Sequence, residues 1–180
     1  MGDELVRAEF ATVEELVDLL VFVAEEVSLR FDRWDERYAR GPSLYFVVVT
    51  GGRIGPYADP LGGERWPVES ARKLPADLSA AARAAHDVAL ERDGAVLVTA
   101  DGTLQPRMVR VKAVGGDVLS EFDYPDWMSA KQLSALEAST RADVLAAVTL
   151  SEEDGRVTVF RDGAYEDAPR DALGGRWRGE

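Results

Sequence analysis

Three short segments carry residue types and spacings from which chemistry could be built. Asp93-Gly94-Ala95 sets a carboxylate beside a glycine at the start of an apolar run. Such a pair can hold a divalent metal while the backbone, bare of a side chain, approaches a ligand closely. Asp-Gly is equally a common turn. Ser129-Ala130-Lys131-Gln132 leads into Leu133-Ser134-Ala135-Leu136. With a helix start near Ser129, the free N–H groups and the positive dipole end form an anion site, and Lys131 lies nearby. Most helix N-termini bind nothing. Ser151-Glu152-Glu153 closes another apolar run with carboxylates that could bind metal or simply form a solvated turn. The single histidine, His86, falls in an Ala-rich helical stretch and reads as a helix-surface or packed residue, not as a ligand or base.

The composition narrows what these segments can serve. The chain has 180 residues, 46% hydrophobic, which suits one domain with a substantial core. It has no cysteine, so disulfides, thiolate metal sites and cysteine nucleophiles are excluded. The formal net charge is -12, a field that repels DNA and RNA. A small anion can still bind where a local pocket supplies metal, helix N-termini or a few basic groups. Lys73, Lys112 and Lys131 are the only lysines among 21 cationic residues, an acidic, lysine-poor balance that fits a haloarchaeal protein or an ordinary acidic, soluble one. No apolar run reaches the roughly 18 residues of a membrane span, and no signal-peptide pattern opens the chain. A cytoplasmic protein with no membrane partner is expected.

The elements that must position these groups follow from periodicity. Thr12-Val13-Glu14-Glu15 has capping-box spacing, and Leu16, Leu19, Leu20, Val23 and Val27 recur at helical intervals, which predicts a long first helix from Thr12 to Leu29 or beyond. Its charged tail, Arg30 to Arg40, puts Phe31, Trp34 and Tyr38 on one face toward the sheet before Gly41-Pro42 stops it. Leu44 to Val49 reads as a strand buried on both faces, followed by a Gly51-Gly52 turn. Four prolines and several glycines from Arg53 to Pro75 predict ordered loop, with Ile54 to Tyr57 packed. Asp77 or Ser79 caps a second helix over Ala80 to Leu90. Val96 to Thr99 is a strand, Asp101-Gly102 a turn, and Val109, Val111 and Ala113 alternate as a half-buried strand. Gly115-Gly116 breaks the chain, and Asp126 or Ser129 begins a third helix. Val144 to Leu150 and Val157 to Phe160 form a pair that Asp162-Gly163 ends. Helices interleaved with buried strands predict a single layered α/β domain: a central mixed β-sheet flanked by helices, with a long N-terminal helix. Residues 1–41 form the helical segment, 42–165 the α/β core and 166–180 a charged tail, which Leu173 and Trp177 could anchor.

In their order and spacing, the three chemical segments resemble the diadenylate cyclase (DAC) domain family over about Leu90 to Gly163. That family carries Asp-Gly-Ala at the start of a strand, here Asp93 to Ala95. A Gly-x-Arg-His motif then opens a helix, here Ser129 to Gln132, and a strand ends in Ser-Glu-Glu, here Ser151 to Glu153. A Gly-x-Val-x-Val hairpin follows, here Gly155 to Val159. The chain looks most like the short archaeal members. Three positions depart from the pattern. Ser129 replaces the glycine. Lys131 keeps the arginine's charge without its bidentate fork, and Gln132 can hydrogen-bond but cannot ligate metal or protonate as imidazole does. The resemblance implies a DAC-domain fold and condensation of two ATP into cyclic di-AMP plus two pyrophosphates, at a face-to-face pair of chains. Asp93 would be catalytic and would hold Mg²⁺ or Mn²⁺, with Glu152 as a second metal ligand. Gly94, Ala95, Ser129, Ala130, Lys131 and Gln132 would contact nucleotide. The departures imply an alternative: a catalytically weakened domain that binds ATP or cyclic di-AMP as a regulatory or sensor module.

Overall fold

The computed structural model describes residues 2–37, 39–50, 58–67, 73–74, 76–91, 93–113 and 118–174, with backbone only for 2–12, 118 and 121. The elements run α1 (Gly2–Arg30), β1 (Leu44–Val49), β2 (Ala58–Arg65), α2 (Leu78–Glu91), β3 (Val96–Thr99), β4 (Arg107–Val111), α3 (Ala130–Ala138), β5 (Val144–Leu150), β6 (Val157–Arg161) and β7 (Ala164–Ala168). Five strands form a mixed sheet in the order β3-β1-β5-β6-β7. The β1–β3 pair is parallel and every other pair is antiparallel. Helices flank this sheet, with α1 at the N-terminus, as the fold class predicts.

Strand β1 shows why the layers close as they do. All six of its residues are buried. Leu44, Phe46 and Val48 face one cluster with Leu16, Leu20 and Val27 of α1 and Ala85 and Val88 of α2. Tyr45, Val47 and Val49 face the other, with Ala135 and Leu136 of α3 and Phe160 of β6. Each such large side chain contributes about 1.5–3 kcal/mol by leaving water, so a strand apolar on both faces requires a helical layer on each.

Four expectations are corrected. First, α1 begins at Gly2 and passes through Thr12 without interruption. The capping-box spacing there is overridden because no glycine or proline between Asp3 and Ala11 stops helix propagation. Second, α1 ends at Arg30, so Phe31 and Trp34 do not continue its face. Their rings instead meet edge to face at 4.8 Å, and Trp34 Nε1 donates to the Ser28 carbonyl at 3.0 Å. Third, the stretch expected to be loop holds β2, paired antiparallel with β4. Pro60 and Gly62-Gly63 are tolerated because this is a separate two-stranded ribbon whose register breaks between Pro60 and Arg65. Strand β4 stops at Val111, short of Ala113. Fourth, β7 extends the sheet to Ala168, so residues 166–168 of the expected tail are strand. Leu173 is buried, and the Gly174 N–H donates to Glu25 of α1 at 3.3 Å, which anchors the segment after β7. Tyr38, Gly51-Gly52, Ile54 to Tyr57, Gly115-Gly116 and Trp177 lie outside the described residues.

Candidate functional site

The strand order brings distant segments to one end of the sheet. Strand β3 runs parallel to β1, so the residues before each emerge at the same end. Strand β5 runs antiparallel to β1, with Leu150 opposite Leu44, so the residues after β5 emerge there too. Arg40, Asp93 and Glu152 are thereby gathered from three parts of the chain. Arg40 Nε donates to Glu152 Oε2 at 2.8 Å. The backbone beneath is joined as well, with the Gly41 N–H on the Glu152 carbonyl at 3.3 Å.

Lys131, in the first turn of α3, completes the cluster. It is half-buried, and burial holds its ammonium below the usual lysine range. The carboxylates of Glu152 and Asp93 oppose that shift, and the Arg40 charge adds to it. Arg40 is in turn raised by its hydrogen bond and charge pairing with Glu152, with a further contribution from Asp93. Asp93, Lys131 and Glu152, expected from sequence to act together, are therefore neighbours in the fold. Arg40 was missed. Its partner lies 112 residues away, so no local spacing could have revealed it.

The other expected residues are placed more for architecture. Gly94 has φ +114°, and a Cβ there would fall 2.4 Å from Leu61 Cδ1 and 3.1 Å from the Val109 carbonyl. Packing of β2 and β4 alone thus demands a glycine. Its N–H also donates to the Asp93 carboxylate, Oδ1 at 3.0 Å. Ala95 is buried and exchanges both backbone hydrogen bonds with Val109, at 2.8 and 2.9 Å. Ser129 is the N-cap of α3, and Ala130 is exposed on its first turn. Gln132 is 1% exposed and turns inward: its Oε1 accepts from the Ser129 N–H at 3.2 Å and from the Ser129 hydroxyl. The serine–glutamine spacing is thus an N-terminal brace of the helix.

Two further contacts hold this end of α3. Tyr45 of β1 shares a hydrogen bond with Ser134 at 3.2 Å, and burial pushes its phenol above the ordinary range. Trp127, just before α3, lies under the Arg156 guanidinium at 4.5 Å and meets Tyr165 edge to face at 6.1 Å. Arg156 also pairs with Asp154 at 3.6 Å and with Asp167.

Among the described residues no three His, Cys, Asp or Glu side chains gather closely enough to hold a metal by themselves. Two hard carboxylates, Asp93 and Glu152, flank the cluster, and this donor set fits Mg²⁺ or Mn²⁺, which are commonly held by one or two carboxylates and completed by phosphate oxygens and water.

Solved structures place this geometry in context. One is DacA from Staphylococcus aureus, a diadenylate cyclase solved as a double mutant, with a TM-score of 0.51 and 14% identity over 92% of this chain and 97% of that one. The fold is DAC-like. A hypothetical membrane-spanning protein from Bacillus cereus aligns with a TM-score of 0.57 and 14% identity over 84% of this chain. The chain spans 62% of that protein's length. No family model matches the chain, and no curated protein matches its sequence. Among the described residues no helix is long and apolar enough to cross a membrane.

Proposed function

We propose that the chain is a diadenylate cyclase, taking one ATP per copy at the first turn of α3 and condensing two ATP across a face-to-face pair. The observation that supports this reading is the convergence of Asp93, Lys131 and Glu152, drawn from three separate segments, on one end of the sheet. Lys131 and the first N–H groups of α3, which have no intrahelical acceptor, hold the triphosphate. Asp93 and Glu152 would hold Mg²⁺ or Mn²⁺. When bound, such a cation would neutralise phosphate charge and favour deprotonation of the attacking hydroxyl. The 3′-hydroxyl of each ATP gives its proton to solvent water as it attacks the α-phosphate of the other. An O3′–Pα bond forms, the Pα–O bond to the β-phosphate breaks, and pyrophosphate leaves. Two such events close the ring.

The test is a concentration series of purified protein with ATP and Mn²⁺, with products resolved by mass spectrometry. Cyclic di-AMP is expected, with a rate that rises faster than linearly in protein because two copies must meet. No product at any concentration counts against a cyclase.

The inward turn of Gln132 favours a second reading, in which the chain binds ATP or cyclic di-AMP without turnover, as a regulatory module. The side chain at that position is spent on bracing α3 and is absent from the ligand side. A thermal-shift titration that shows stabilisation by ATP, in protein that yields no cyclic di-AMP, identifies this case. Ligand at 100 times its dissociation constant adds about 2.7 kcal/mol to stability, with or without catalysis.

A further inference from the structure

The donors of Arg40 are only partly used. Nearby Arg33 engages Glu36 through both Nε, at 2.9 Å, and Nη2, at 2.7 Å. Arg40 touches Glu152 through Nε alone, and among the described residues neither of its Nη groups has a partner. Its side chain is 81% exposed, yet the backbone that carries it is fixed. The Gly41 N–H is bound to the Glu152 carbonyl, and the Trp34 ring lies 2.3 Å from where a Cβ on residue 41 would fall. The guanidinium, held by its one bond to Glu152, therefore lies near Lys131 and Asp93 with two amino groups open to an incoming anion.

A planar guanidinium pairs best with two oxygens of one anion, and phosphate presents them as a carboxylate does. In the free chain two cations, Arg40 and Lys131, balance two carboxylates, Asp93 and Glu152. A divalent cation arriving with a nucleotide competes with Arg40 for Glu152, and the nucleotide's own phosphate is the anion left to replace it. We propose that Arg40 is a phosphate-binding residue of this site, held on Glu152 in the free chain and exchanging that carboxylate for a phosphate of the bound nucleotide. This rests on the nucleotide reading given above.

Calorimetric titration with ATP, with and without Mg²⁺, and with adenosine tests it on the full chain and on Arg40→Ala, Arg40→Lys and Arg33→Ala. Arg40→Ala is expected to weaken ATP at least tenfold and leave adenosine unchanged. Arg40→Lys should recover part of the loss, since it restores the charge without the fork, and Arg33→Ala should match the parent. A parent that binds ATP and an Arg40→Ala variant within twofold of it would overturn the role of Arg40 alone. Equal weakening of ATP and adenosine would overturn it as well, because the residue would then be acting on shape. A parent that binds neither ligand would overturn the nucleotide reading and this inference together.

Discussion

Gly155→Ala adds one methyl group where the fold leaves no room for it. Gly155 sits at φ +75°, where an L side chain costs about 1–2 kcal/mol. The new Cβ would lie 2.7 Å from Ser28 Oγ and 2.9 Å from Trp34 Cζ2, and relieving such crowding costs about 1–3 kcal/mol. If Ser28 swings aside, its buried hydrogen bond to the Gly155 carbonyl, 2.8 Å long, is lost for about 1 kcal/mol more. The total is roughly 3–6 kcal/mol, out of the roughly 5–15 that a domain of this kind possesses. The damage reaches the site. The turn that carries Glu152 is closed by Ser151 N–H to the Arg156 carbonyl at 2.9 Å and Gly155 N–H to the Ser151 carbonyl at 3.0 Å. Urea unfolding followed by circular dichroism measures the loss, with Gly62→Ala alongside, where no atom lies within 4 Å of the added carbon. Gly62→Ala should stay close to the parent. A Gly155→Ala variant within 1 kcal/mol of the parent, at an unchanged slope, would refute the crowding argument.

Gln132→Leu keeps an apolar volume in the buried place but removes the acceptor for the Ser129 N–H. It should lower stability by about 0.5–2 kcal/mol in thermal unfolding, and no loss would mean the side chain does not brace α3. Lys131→Met should change the alkaline profile. Between the lowered Lys131 value and the ordinary 10.5, the unfolded chain holds the extra proton, so the parent gains stability with rising pH, and the variant should lack that rise. Equal slopes in the two proteins would contradict it. Tyr45→Phe acts in the opposite sense. The native phenol keeps its proton after the unfolded chain begins to lose it at 10.0, so the parent loses stability above that pH and the variant should lose less. Phe160→Ala, at a fully buried position between α3 and the sheet, should cost about 3–5 kcal/mol by chemical unfolding, and a loss below 1 kcal/mol would mean that side chain is not packed there.

The parts of the fold that could be read from sequence are those set by dense local signals. Leu44–Val49 and Val144–Leu150 fall at their expected bounds because a dense, almost wholly apolar run buried on both faces has few alternatives. Strand β7 was missed because Glu166 and Asp167 put charge on both of its faces, which a sheet edge tolerates. Strand β2 was missed because Pro60, Gly62 and Gly63 break the local pattern, and only pairing with β4 makes it a strand. Asp93, Lys131 and Glu152 were found by type and order. Their meeting is a property of the topology, and Arg40 entered only through it. Gln132 was expected to face ligand, whereas its spacing from Ser129 already matched a capping pair.

The central position of β5 has a consequence for synthesis. Strand β1 is made before β5, one of its two sheet neighbours, which follows about a hundred residues later, and Glu152 comes after that. Throughout that interval Leu44–Val49 holds an open hydrogen-bonding edge, and Arg40 lacks its Glu152 partner. The charged cluster can therefore assemble only once β5 and the turn after it have been made and fold back onto β1.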